Sequence, residues 1–287
     1  MEAARAGTDT KLQSRRLLEV TALVALWMAI GALINDGGSD TASGSTLNWY
    51  LLIGVPLVAG FQLWVRRRPL IELWVRDGGR GIFKPKLFRV LVVAAVIFPI
   101  YSVINALADS LPAAFVIYGL VSIVGAGGFG YAYLHFSRTT FKYLALCLAT
   151  AGVIGVLPEI IHDFTAGATH PLGTSASGDV WEFWLSLLTY IPSLYVLEEV
   201  AFRGCLDSHI HHVGDRHGTW TAIYVSALWG AWHGPVIGWD HLPALVISMG
   251  IIGTFLSIFW RKSGNLGVSA TTHALIDSVR NAAGLAP

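Results

Sequence analysis

The chain has 287 residues and a formal charge of +1, and its 13% of charged side chains is about half the roughly 25% of a soluble domain. A mean hydropathy of +0.59 and 54% hydrophobic residues argue against an ordinary water-soluble enzyme, and a near-neutral charge without a Lys/Arg stripe argues against a nucleic-acid partner. Two cysteines without paired spacing, Cys147 and Cys205, give no disulfide framework and no zinc knuckle.

The apolar residues fall into stretches of roughly twenty, the length at which a helix rising about 1.5 Å per residue crosses a hydrocarbon core of about 30 Å. In chain order the predicted spans are 17–34, 47–65, 87–108, 113–136, 141–161, 180 to about 204, 219–238 and 241–260, followed by a more polar ninth at 266–283. Lipid offers no partners to backbone N–H and C=O groups, so each span must satisfy its own. The expected fold class is therefore all-α, a polytopic transmembrane bundle of eight to nine helices. Arg5, Lys11, Arg15 and Arg16 precede the first span and no small-residue cleavage site follows it, which predicts an uncleaved first helix.

Basic residues sort the connections. Arg66, Arg67, Arg68, Arg76, Arg80, Lys84, Lys86 and Arg89 crowd the second, Arg138 and Lys142 the fourth, Arg216 the sixth, and Arg261 with Lys262 the eighth, while the odd-numbered connections hold no Lys or Arg. The positive-inside rule then places the N-terminus in the cytoplasm. The stretch 66–86, Arg-rich and containing Gly78-Gly79, is too short to bury a core and is expected to lie on the anionic inner leaflet. The resulting division is an accessory set of transmembrane helices over 1–160, a small-residue extracytoplasmic loop over 161–179, and a functional unit over 180–287.

That last assignment follows from where the polar residues are. Charges inside a span are costly and usually functional, and they cluster in Glu198-Glu199-Val-Ala-Phe-Arg203, Trp229-Gly-Ala-Trp-His233-Gly-Pro235 and His273-Ala-Leu-Ile-Asp277. Glu199 with Arg203, and His273 with Asp277, are four apart and share a helix face, whereas Glu198 points about 100° away and is left to face something else. If the sixth helix continues past Arg203 to about His211, Glu198 lies about 20 Å from its end, and His233 lies as far from the start of the seventh near Gly218. Antiparallel packing would then set the two level; a helix ending at Gly204 would offset them by about 10 Å. A carboxylate, two imidazoles and a second carboxylate in a low-dielectric pocket suit the activation of a water molecule, with the imidazoles holding the water or donating to an oxyanion. Helix-to-helix fastening is the structural alternative.

At these residues the sequence resembles the CPBP family of intramembrane proteases, the CAAX-processing and bacteriocin-processing group also called the ABI family. The family shows Glu-Glu-x-x-x-Arg, Phe-x-x-x-His and His-x-x-x-Asn in this order, and all three have counterparts here, with Ser263-Gly264-Asn265-Leu266 before the third. The resemblance covers about residues 180–283. Trp229 stands where Phe is usual, and Asp277 where Asn is typical. An ionised Asp cannot donate to an oxyanion as an amide can, so Asp277 either orients His273 or touches a metal.

The resemblance implies hydrolysis of a peptide bond in a membrane-bound peptide or protein. Glu198 would activate water, His233 would assist, and His273 with Asp277 would steady the oxyanion or the water, with Glu199, Arg203 and Trp229 in support. It implies a multi-pass protein of a bacterial plasma membrane, with the lipid bilayer and its substrate as partners and no nucleic acid. No cofactor is expected, since His-Glu-x-x-His is absent; a divalent metal such as zinc, if used, would take Glu198, His233 and His273. The alternatives are a catalytically silent family relative serving as membrane scaffold or immunity protein, and a proton-coupled transporter.

Other features read as structural. Gly125-Ala-Gly127-Gly-Phe-Gly130 fits a dinucleotide pattern by letter but lies within an apolar span, where small residues allow close helix packing. His209, His211, His212 and His217 read as a solvated or headgroup-facing cluster. Pro99, Pro158, Pro192 and Pro235 should kink their spans, and the last two lie close to Glu198 and His233. Trp27, Trp49, Trp64, Trp74, Trp181, Trp184 and Trp260 read as an interfacial belt.

Overall fold

The computed structural model describes residues 2–35, 44–76, 81–82, 84–157, 176–211 and 218–282. Pro158, His212, Arg216, His217, Arg80, the Gly78-Gly79 pair and most of the expected outer loop 161–179 lie outside these residues. Among the described residues there is no β-strand, and the helical bundle is as expected, although the eight to nine transmembrane helices hold only approximately: nine helices are long, and six segments qualify as spans.

Helix α1 (Glu2–Asn35) begins well before the predicted span, and α2 (Gly44–Gly60) runs into a wider π-helical turn at Phe61–Val65. Helix α3 (Pro85–Ala108) starts on a proline, whose missing N–H costs nothing at a helix start, and carries Pro99 within it. After α4 (Ala113–Leu134), α5 (Arg138–Cys147) opens on a reciprocal cap between Ser137 and Thr140 and continues through a π-turn at Leu148–Gly152. Helix α6 (Ala176–Leu194) precedes the first glutamates, α7 (Gly218–Trp232) carries Trp229 to the threshold of His233, and α8 (Leu242–Ser263) ends at Gly264. Gly264 takes φ 61°, the left-handed conformation that side chains disfavour, and α9 (Gly267–Ala282) follows. Asn265 fixes that corner: its side-chain Nδ2 donates to the Ala132 carbonyl at 2.7 Å and its Oδ1 accepts from the Gly267 N–H at 2.9 Å.

Six helical segments are long and apolar enough to cross a membrane: Lys11–Ile34, Leu47–Val65, Pro85–Ala108, Ala113–Leu134, Arg138–Leu157 and Trp239–Ser263. Helices α6, α7 and α9 are not among them. Helix α7 has 15 residues and α9 has 16, both short of the roughly 20 that span a bilayer. The polar motifs lie on α9, at the end of α7 and just beyond it, and in the helical segment that follows α6, with α7 packed on α8 and α9 on α6.

Three expectations change. The connection 66–86 does not simply rest on a leaflet: a short 3₁₀ turn (Leu70–Leu73) leads into Leu73 and Val75, both buried, and Val75 pairs with Asn265 as an isolated bridge. The Arg76 N–H donates to the Gly264 carbonyl at 2.8 Å and the Leu266 N–H to the Trp74 carbonyl at 2.9 Å, so this segment is threaded between helices where its backbone groups find partners. The tryptophans divide. Trp49, Trp64, Trp181 and Trp184 are exposed as a belt requires, but Trp27 and Trp260 are buried and Trp74 is half-buried; close glycines admit the rings of Trp27 and Trp74. Side chains at Gly54 and Gly128 would fall inside the Trp27 and Trp74 indoles, respectively. His209 is not solvated: its Nε2 meets Glu19 of α1 at 2.8 Å, and Arg15 holds the same carboxylate.

Two glycines of the dinucleotide-like pattern serve packing, while Gly127 faces open space. Gly125 lets α4 come against the Pro192 carbonyl of α6, and Gly128 seats Trp74.

Candidate active site

The two residues expected to act on water both follow a break in a helix. Pro192 has no N–H to donate, and α6 ends two residues later. Residues 195–197 form a turn, helix resumes at Glu198-Glu199, and a π-helical stretch runs over Val200–Asp207 before a final turn at Ser208–Ile210. The segment thus continues past Arg203, as level packing of Glu198 and His233 requires. Single-turn π segments within helices recur at functional sites because they re-aim side chains.

The second break is at His233. Its backbone N–H turns to the Gly230 carbonyl at 3.2 Å rather than to Trp229, and the Trp229 carbonyl instead accepts from the His233 ring Nδ1 at 2.9 Å. Since a carbonyl only accepts, Nδ1 carries the proton and Nε2 is the atom turned toward Glu198. The distance from His233 Nε2 to Glu198 Oε2 is 3.8 Å, too long for a direct hydrogen bond, which leaves both groups free to address a third atom. The Trp229 indole Nε1–H donates to the same Glu198 Oε2 at 3.1 Å.

A second group lies on the other side of the Trp229 ring. His273 Nδ1 faces Glu199 Oε1 at 3.2 Å and its Nε2 faces Asp277 Oδ2 at 3.3 Å. Arg203 stacks its guanidinium 4.7 Å from the Trp229 ring centroid, with Nε 3.8 Å from Glu199 Oε2. Gly253 of α8 leaves it room, since a Cβ there would stand 2.8 Å from Arg203 Nη2. The ring centroids of Trp229 and His273 are 5.1 Å apart, edge to face, and those of Trp229 and His233 5.5 Å. All seven residues singled out by the motifs therefore converge, and Trp229 joins the two groups. Sequence reasoning placed Trp229 only in a supporting wall; its N–H could have been read from the replacement of Phe, which has none.

Exposure separates the groups. Glu199 and Arg203 are wholly buried, whereas the side chains of Glu198, His233 and Asp277 keep 18%, 16% and 20% of their surface. Glu198, His233 and Asp277 thus form the less buried side of the cluster, and the sealed Glu199–Arg203 pair lies behind it.

The metal reading fits poorly. Among the described residues no group of three or more His, Cys, Asp or Glu side chains stands where one ion could be held. His273 turns both ring nitrogens to carboxylates, so neither is presented with Glu198 and His233 to a shared ion. Of its two expected partners, Asp277 contacts His273.

Residues 180–279 match the family model described as Type II CAAX prenyl endopeptidase Rce1-like. No curated protein and no solved structure matches the chain. The matched stretch contains all three motifs, so that over these residues the chain is similar to the Rce1-like type II CAAX prenyl endopeptidases, as its resemblance to the CPBP proteases implied.

Proposed function

We propose that the protein is an intramembrane endopeptidase that hydrolyses a peptide bond of a membrane-associated peptide or protein, of the CAAX-processing or bacteriocin-processing type. The observation that carries this reading is the less buried side of the cluster: a carboxylate and an imidazole Nε2 converge 3.8 Å apart, each held by Trp229 from behind. The similarity of residues 180–279 to CAAX endopeptidases supports it independently.

In this mechanism Glu198 takes a proton from water, and the hydroxide oxygen adds to the scissile carbonyl carbon. The resulting tetrahedral oxyanion draws the His273 Nε2–H from its 3.3 Å contact with Asp277, while Glu199 holds Nδ1 and fixes the ring. Collapse breaks the C–N bond, and the proton held by Glu198 passes to the leaving amine with His233 assisting. Arg203 offsets the charge of Glu199 and presses on the Trp229 face, steadying the N–H that Glu198 accepts. The reaction so written needs no cofactor. The chain is read as a multi-pass protein of a bacterial plasma membrane with a cytoplasmic N-terminus, residues 1–160 accessory and 180–287 catalytic, and its partners are the bilayer and the membrane-bound substrate.

The test compares membrane and secreted peptides from cells expressing the native chain or Glu198→Gln at matched levels, with and without a chelator. Products that vanish in the variant and persist with chelator are expected, and their termini identify the substrate. Identical profiles overturn the enzyme reading in favour of a scaffold or a transporter, and products lost only with chelator overturn the metal-free mechanism.

A further inference from the structure

Each helix break beside the site frees a main-chain carbonyl, and in both cases an aromatic side chain from the first 76 residues satisfies it. Where α6 gives way to the turn before Glu198, the Tyr195 carbonyl accepts from the Trp74 indole Nε1–H at 2.6 Å. Where α7 ends before His233, the Trp232 carbonyl would ordinarily accept from the N–H of residue 236. That N–H turns instead to His233 at 3.0 Å, and the Tyr50 hydroxyl donates to Trp232 at 2.6 Å. A buried carbonyl without a partner costs free energy that lipid cannot offset, so these two donors allow the breaks to exist.

Both donors are held in place. Tyr50 is 2% exposed, stacks on the Trp232 ring at 5.0 Å, and gives its own carbonyl to the Trp27 indole N–H at 2.7 Å. Gly31 provides its seat: a Cβ there would fall inside the phenol ring. Trp74 sits against Gly128 on the threaded segment that the Val75–Asn265 bridge anchors.

We propose that Tyr50 and Trp74 are positioning residues of the catalytic unit, Tyr50 for His233 and Trp74 for Glu198, each acting by capping the carbonyl at the break next to its target. Both lie outside the 180–279 stretch that resembles CAAX endopeptidases, so the N-terminal part of the chain helps build the site and is more than an anchor. The catalytic consequence rests on the endopeptidase reading; the placement does not.

The experiment uses the full chain in membranes with Tyr50→Phe and Trp74→Phe, each removing one donor and keeping a ring. Placement is read without catalysis. Carbethoxylation of His233 is followed against exposed His241, and carbodiimide coupling of Glu198 against exposed Asp240, both by mass spectrometry. Tyr50→Phe is expected to speed His233 modification at least about threefold and leave Glu198 unchanged, and Trp74→Phe to do the reverse, since one net hydrogen bond is worth roughly a fivefold factor. With a peptide whose cleavage requires Glu198, each variant lowers kcat about fivefold and leaves KM within about twofold. Gly31→Ala and Gly128→Ala, which displace the rings without deleting them, repeat the test if a Phe variant does not accumulate.

Unchanged modification rates overturn the proposal. Equal changes at both targets in each variant also overturn it, because they report general loosening. The expected modification pattern without any Glu198-dependent cleavage sustains the positioning roles and sinks the endopeptidase reading alone.

Discussion

Helices α3 and α9 are built on opposite plans. In α3, Val90, Val93, Ile97 and Leu107 each stand 62% exposed. In α9, Ser269, Thr272, His273 and Ser278 are buried. A lipid-facing helix needs only apolar side chains and its own hydrogen bonds, so its sequence is uniform and its neighbours matter little. A helix that carries polar groups must be wrapped by others, and can be shorter and more broken, because neighbouring side chains replace the partners it loses.

The sharpest test of this contrast is Glu198→Gln, which keeps the side-chain shape and removes the proposed base. Cleavage of a defined peptide is expected to fall by about 10² to 10⁴, the range for losing a positioned general base, with protein abundance unchanged. Next is Arg203→Ala, which leaves buried Glu199 without its cation. A loss of about 3–5 kcal/mol is expected in detergent or bilayer unfolding, and the double variant Glu199→Gln with Arg203→Met should recover part of it. If the double variant is no better than Arg203→Ala, the pair does not act as a pair.

Trp229→Phe is milder. The ring remains for Arg203 and the two histidines, but Glu198 loses its N–H donor, so kcat should drop roughly tenfold while the melting temperature moves little. A variant as active as the native chain would reduce Trp229 to a wall. At the other end of the scale, Val93→Ala on the lipid face of α3 should change stability by less than about 0.5 kcal/mol and leave cleavage unaltered. A large effect there would mean that the face is covered by another chain.

How legible each region was in the sequence follows the same contrast. The apolar spans could be read from hydropathy because lipid responds to composition averaged over about twenty residues. The candidate cluster around Glu198, His233 and His273 could be read because intramembrane charge is rare enough to stand out. Trp27 and Trp74 were misread as belt residues, since an aromatic near a span end looks the same whether it faces headgroups or a glycine on another helix. The glycines that decide the matter, Gly54 and Gly128, belong to other segments. His209 was misread for a similar reason: its partner, Glu19, is 190 residues away.

The sequence by itself determined that this chain is a helical membrane bundle and that its intramembrane polar residues fall in three motifs. Hydrophobic length and the cost of buried charge are properties of a segment alone. Only the tertiary structure decided that Trp229 joins two clusters, that His273 is bracketed by two carboxylates, and that Tyr50 and Trp74 cap the carbonyls beside His233 and Glu198. Those are facts about which helix lies against which, and about where a helix breaks and a carbonyl must find a donor elsewhere in the chain.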